Sequence, residues 1–113
     1  MIKAKGRRLQ NYVRDLLRSI FKKKLDEDDI KSQTMGMTGE DIVLSPAARK
    51  LIPYSIECKN VERLSIWKAI KQAEENTKEG TRPLLIITRN RTPIYVVENI
   101  EDLPTDKGEV VKH

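Results

Sequence analysis

One cysteine in 113 residues excludes an internal disulfide framework, and one histidine excludes a multi-histidine metal site within the chain. No apolar run approaches the roughly 20 residues that span a bilayer. Lys3, Lys5, Arg7 and Arg8 open the chain without the apolar stretch of a secretion signal behind them. Internal repeats and low-complexity segments are absent as well. These absences point to a soluble protein of a reducing compartment, with no membrane partner. At 13.1 kDa the expectation is one domain over 1–113, with a core at about 5–98 and a polar tail at 99–113.

Charge is abundant but unevenly placed. The formal net charge is +5, yet residues 1–24 carry nine Lys or Arg against one acid, and residues 25–45 carry six acids against one lysine. A concentrated basic segment is the footprint of a polyanion binder. A solvated face that keeps the chain in solution accounts for the charge equally well.

Leu9, Val13, Leu16, Leu17, Ile20 and Phe21 recur at three- and four-residue steps, which predicts a helix over Arg7–Phe21 with one apolar stripe. Arg7, Asn11, Arg14, Arg18 and Lys22 fall on its opposite side as a cationic ridge. The switch from Lys22–Lys24 to Asp26–Asp29 reads as a loop, and so does Thr34–Gly39. That second loop lacks the Gly-Lys-Ser/Thr ending of a phosphate-binding P-loop. Short β-rich runs at Asp41–Leu44, Tyr54–Lys59, Leu84–Thr88 and Ile94–Val97 predict four strands. Ser45-Pro46 begins the connection between the first two strands, and Asn90–Pro93 turns between the last two. Between the second and third, Ser65 caps a helix that runs to about Asn76, with Gly80 beyond it as a breaker. The order α-β-β-α-β-β describes an α/β fold whose mixed β-sheet is flanked by helices.

The chemistry concentrates at Asp41 and Glu57-Cys58-Lys59. Alternation along a strand puts Glu57 and Lys59 on one face and Ile56 and Cys58 on the other. If the first two strands are antiparallel neighbours, Asp41 and Glu57 converge on one divalent cation, with an ammonium beside them. Hard oxygen ligands of this kind suit Mg²⁺ or Mn²⁺. The bland alternative is an exposed Glu–Lys pair with an N-capping Asp41. Cys58 itself reads as a small buried strand residue, and Trp67 as a core or interface aromatic.

In context, Gly39-Glu40-Asp41-Ile42 followed by Ile56-Glu57-Cys58-Lys59, with Lys5-Gly6-Arg7-Arg8 opening the first helix, resembles the PD-(D/E)xK nuclease superfamily. Within it the pattern is similar to small phage and archaeal Holliday-junction-resolvase-like and stand-alone nucleases, over roughly residues 5–97. The resemblance implies a restriction-endonuclease-like core and an Mg²⁺-dependent endodeoxyribonuclease, Mn²⁺ substituting, in the cytoplasm of a prokaryotic or phage-infected cell. It implies that Asp41, Glu57 and the backbone carbonyl of Cys58 hold the metal and that Lys59 attends the attacking water. Gln72, with Lys68 one turn before it, is placed near the scissile phosphate. Gln10 stands where the resolvases carry a first-helix glutamate, so it supplies no charge. DNA is the implied partner, held by Lys5, Arg7, Arg8, Arg14, Arg18, Lys68, Arg89 and Arg91. With no base-reading element evident, branched or flapped DNA is expected rather than a defined sequence. Two sites for two strands favour a homodimer, with Trp67 or Tyr54 at its interface. The alternative function is a nucleic-acid-binding module without catalysis, and a third is a protein-interaction domain.

Overall fold

The computed structural model describes residues 2–34, 37 and 39–103. The chain begins with helix α1 (Ile2–Ile20), turns through Lys22–Lys24, makes a single 3₁₀ turn at Glu27–Asp29 and enters strand β1 (Ile30–Ser32). Strand β2 (Ile42–Leu44) pairs antiparallel with β1, Ile30 opposite Leu44 and Ser32 opposite Ile42. Helix α2 (Pro46–Leu51) leads to strand β3 (Tyr54–Asn60), then helix α3 (Ile66–Glu75), strand β4 (Arg82–Thr88), strand β5 (Tyr95–Val97) and a 3₁₀ turn at Ile100–Asp102. Strands β3 and β4 are parallel neighbours joined through α3, and β5 lies antiparallel on the far edge of β4. The fold is therefore α/β with a mixed three-stranded sheet and a separate two-stranded ladder.

Alternation along β3 and β4 divides the interior into two layers. Ile56, Cys58 and Ile86 join Leu9 and Val13 of α1, Ile30 and Ile42 of the ladder, and Ala48 of α2 in the larger core. On the other face Leu85 packs under Ala69 and Ala73 of α3, with Ile66, Ile70, Ile87 and Val97 around them. The expected opposition of Ile56 and Cys58 to Glu57 and Lys59 follows from the same pleat.

Four differences from the sequence expectations have physical causes. First, α1 starts at Ile2 rather than Arg7, and its buried stripe is narrower than the apolar spacing suggested. Leu9 and Val13 are buried and Leu17 and Phe21 are packed against them, whereas Leu16 and Ile20 are 46% and 61% exposed. Only the four-residue steps stay over the sheet; the intervening apolar residues fall on an uncovered flank. Second, β1 follows the acidic run directly. It is held from outside the strand, by the Arg18 guanidinium donating to the Ile30 carbonyl at 2.9 Å and by the ladder to β2. Third, Ser45-Pro46 opens a helix. Ser45 Oγ accepts from the Ala48 amide at 3.1 Å and donates to Asp29 Oδ1 at 2.6 Å, with proline at the first helical position. Fourth, that helix separates β2 from β3, so these two are not the antiparallel pair assumed from sequence. The expected loop Thr34–Gly39 and the polar tail fall largely outside the described residues.

Among the described residues no helix is long and apolar enough to cross a membrane.

Candidate functional site

Gly39, at φ +98°, takes the left-handed conformation that favours glycine and delivers the chain to Glu40 and Asp41. The two acids then part company. Glu40 is 2% exposed and ion-paired with Arg49 of α2 and, at 3.2 Å, with Lys78 of the α3–β4 connection. That clamp fixes the backbone just before Asp41.

Asp41 stands between the ladder and the main sheet. Its carbonyl accepts from the Gln33 amide at 2.8 Å, and its amide donates to the Ile56 carbonyl at 2.8 Å. Its side-chain Oδ2 accepts from the Cys58 amide at 2.7 Å. A strand residue directs its N–H and C=O to the same edge, so the Cys58 carbonyl also projects toward the Asp41 side, away from β4. The neighbour relation assumed from sequence is thus replaced by a single-residue bridge. Asp41 and Glu57 nevertheless meet, close enough for their carboxyls to hydrogen-bond.

Glu57 is 4% exposed. Its Oε1 accepts from Asn76 Nδ2 at 2.6 Å, Asn76 being the residue that closes the C-terminus of α3. Burial pushes the Glu57 carboxyl up to about 7; the negative charge of Asp41 adds to this, while the Asn76 hydrogen bond and the Lys59 charge pull the other way. An exposed Glu–Lys pair is therefore excluded: one acid of the pair is buried against a second acid. Lys59 is half-buried and close enough to act on the Glu57 charge, and it makes no salt bridge among the described residues. Burial also pushes the Cys58 thiol up, which suits a buried strand residue and leaves little thiolate.

On α1, Gln10 is 6% exposed and its Oε1 has no hydrogen-bond partner. The next residue, Asn11, accepts from Ser32 Oγ at 2.9 Å, and Ser32 lies opposite Ile42, immediately after Asp41. A buried amide oxygen without a partner thus lies on α1, one residue before the side chain that reaches β1. Among the described residues no set of three or more acidic, cysteine or histidine side chains gathers to hold a metal. Any cation at Asp41 and Glu57 would complete its shell with carbonyl and water oxygens.

The remaining predicted site residues are scattered. Lys68 and Gln72 are exposed on α3, and the residue that reaches the site from that helix is Asn76, four beyond Gln72. The spacing 68, 72, 76 continues one helical face, so the signal was present and stopped a turn short. Lys5 pairs with Glu62 at 3.0 Å, and Glu62 also accepts from the Asn90 amide at 2.7 Å, which draws the first turns of α1 toward the Arg89–Arg91 turn. Arg7 and Arg8 are exposed. Arg14 is paired with Asp15 at 2.8 Å on the surface, and Arg18 is bound to the carbonyls of Ile30 and Glu27, so both cations already have partners within the chain. Trp67 is 79% exposed and does not belong to either core. Tyr54 is half-buried beneath Arg82, whose guanidinium lies 5.2 Å from the ring centre.

Compared with known proteins, the chain matches no protein-family model, no curated protein and no solved structure.

Proposed function

We propose that this chain is a metal-dependent endodeoxyribonuclease with a restriction-endonuclease-like core, acting on branched or flapped DNA rather than on a defined sequence. The observation that carries the reading is the buried Asp41–Glu57 pair, set beside the Cys58 carbonyl and followed two residues later by Lys59 on the same strand face. Two carboxyls held together with so little compensation are the surroundings a hard divalent cation relieves. Asp41, Glu57 and the Cys58 carbonyl would hold Mg²⁺, with Mn²⁺ substituting. When bound, such an ion lowers the pKa of water and neutralises charge on phosphoryl oxygens.

The chain's own part is positioning. Asn76 holds one Glu57 oxygen, so the other is turned toward the pair. The Cys58 amide does the same for Asp41. Lys59 lies where an ammonium orients the attacking water or steadies the charge that builds on phosphorus. Lys5, Arg89 and Arg91 surround the C-terminal ends of β3 and β4 and supply salt-sensitive affinity for backbone phosphates. A homodimer belongs to this reading; exposed Tyr12, Leu16 and Ile20, four residues apart along α1, give it an apolar surface to bury.

One observation favours the second reading, a nucleic-acid-binding module without catalysis: among the described residues no third acid gathers with the pair. Cleavage of labelled four-way junction, flap, single-stranded and duplex DNA separates the two. The assay is run in EDTA, Mg²⁺ or Mn²⁺ with wild-type, Glu57→Ala and Lys59→Ala proteins. Metal-dependent cutting lost in both variants is the expected result. Binding without cutting under every metal overturns the nuclease and leaves the module.

A further inference from the structure

A pocket of about 410 Å³ opens at the C-terminal ends of β3 and β4, with Leu64, Ile66 and Ile87 among its apolar walls and Tyr95, Thr88 and Arg89 at its margins. We propose that it receives one unpaired nucleobase of the bound strand, with Tyr95 as the stacking surface. The proposal rests on the nucleic-acid reading of the neighbouring carboxylate site and narrows its substrate to DNA carrying an unpaired nucleotide beside the scissile phosphate.

Register places the pocket. Lys59 is opposite Ile87, and Ile87 is opposite Tyr95, so the three form one row across the sheet on the α3 face. Glu57, Leu85 and Val97 form the next row. Tyr95 therefore stands two strands, roughly 10 Å, from Lys59 on the same face. A phosphate at Glu57 and Lys59 has its own or the adjoining base within reach of Tyr95. The aromatic ring is on the edge strand and 58% exposed, available rather than committed to the core. Apolar walls with an aromatic at the lip are what a flat π-face selects.

Charge and size settle the occupant. Lys5 and Arg89 both act on the Glu62 carboxylate at the pocket's rim, which also receives the Asn90 amide, so the acid there is offset and cations border the opening. That border suits a polyanion backbone. The volume lies near the low end for ligand sites, enough for one nucleoside and too small for a packed helix.

The test uses DNA with 2-aminopurine in a single-stranded flap, the same probe paired within a duplex, and EDTA throughout so that nothing is cut. Binding is read by anisotropy and base environment by 2-aminopurine emission, for wild-type, Tyr95→Ala and Tyr95→Phe proteins of matched thermal stability. Wild-type and Tyr95→Phe are expected to quench the flap probe. Tyr95→Ala is expected to lose the quench and to bind the flap roughly ten- to a hundredfold more weakly, with duplex affinity unchanged. Equal quenching and equal affinity in Tyr95→Ala overturn the pocket, and so does a change in sedimentation without loss of quenching, which would make this edge a contact between copies. No anisotropy change with any DNA at low salt overturns the nucleic-acid reading itself.

Discussion

Replacing Glu57 by glutamine removes charge from the place where the fold tolerates it least, while keeping both hydrogen bonds. The amide Oε1 still accepts from Asn76, and Nε2 becomes a donor toward Asp41. In the wild-type protein, burial holds the Glu57 carboxyl near 7 against an ordinary 4.5, so the native state binds this proton more tightly than the unfolded chain does. Native stability contributed by that proton is complete below about 4.5, falls as pH rises, and is gone above about 7. At ~1.4 kcal/mol for each tenfold difference in proton affinity, the ionised carboxylate costs the native state about 3 kcal/mol. For a domain of this size that is roughly 10 °C in the unfolding midpoint. In EDTA, Glu57→Gln and wild-type proteins should unfold at similar temperatures near pH 4.5. By pH 8 the variant should be about 10 °C more stable. Thermal unfolding by circular dichroism at stepped pH reads the gap directly. A gap of equal size at both ends of the range, or a wild-type protein more stable at pH 8, refutes the reasoning.

Asn76→Ala removes the hydrogen bond that pulls Glu57 down, so a carbon-13 NMR titration of that carboxyl should move upward from its value near 7, and an unchanged or lower midpoint would refute the role of Asn76. Arg49→Met leaves Glu40, 2% exposed, with Lys78 as its remaining cation among the described residues. Denaturant unfolding should show a loss of about 3–5 kcal/mol, much of it recovered when Glu40→Met is added. Ser45→Ala deletes both the cap of α2 and the bond to Asp29, and should lower the denaturation midpoint by the equivalent of about 1–2 kcal/mol with no change in slope.

The elements that could be read from sequence are those whose local pattern agrees with their surroundings. Strand β3 alternates as its pleat requires, and α3 runs between Ser65 and Asn76 where its apolar spacing puts it, Ser65 holding the cap position without a side-chain cap bond. Strand alternation likewise set Glu57 apart from Ile56 and Cys58, but its meeting with Asp41 was expected from an antiparallel pairing of β2 with β3 that the fold replaces with the bonds of Asp41 to β3. Strand β1 was not legible. Three residues behind an acidic run carry no periodicity, and their extended form depends on Arg18, twelve residues away, and on β2. Helix α2 did carry a signal, Ser45 before Pro46 and two alanines, which reads equally as a turn until the cap bond to Ala48 is formed. Asn76 was foreshadowed only by the helical face of Lys68 and Gln72, and Gln10 only by the resemblance. An asparagine that ends a helix is ordinary, and only the packing of α3 across β3 sets it against a buried carboxylate. Likewise, nothing near Gln10 distinguishes it from a surface glutamine until α1 is laid on the sheet.

The two faces of the sheet are fastened with unequal strength. On the α1 side, large side chains such as Leu9, Val13, Ile30, Ile42 and Ile56 interlock. On the other side, α3 is seated by buried Ala69 and Ala73 over Leu85, with Ile66 and Ile70 only half-buried beside them. Its backbone amides should accordingly exchange with solvent through a partial opening, at a free energy below that of global unfolding, while those of β3 and β4 wait for the whole domain to come apart. Asn76 caps that helix. Each such opening would release one oxygen of the Glu57 side chain from Asn76 while its backbone in β3 and Asp41 at the sheet edge stay in place, so the pair would lose its lid of hydrogen bonding without losing its frame.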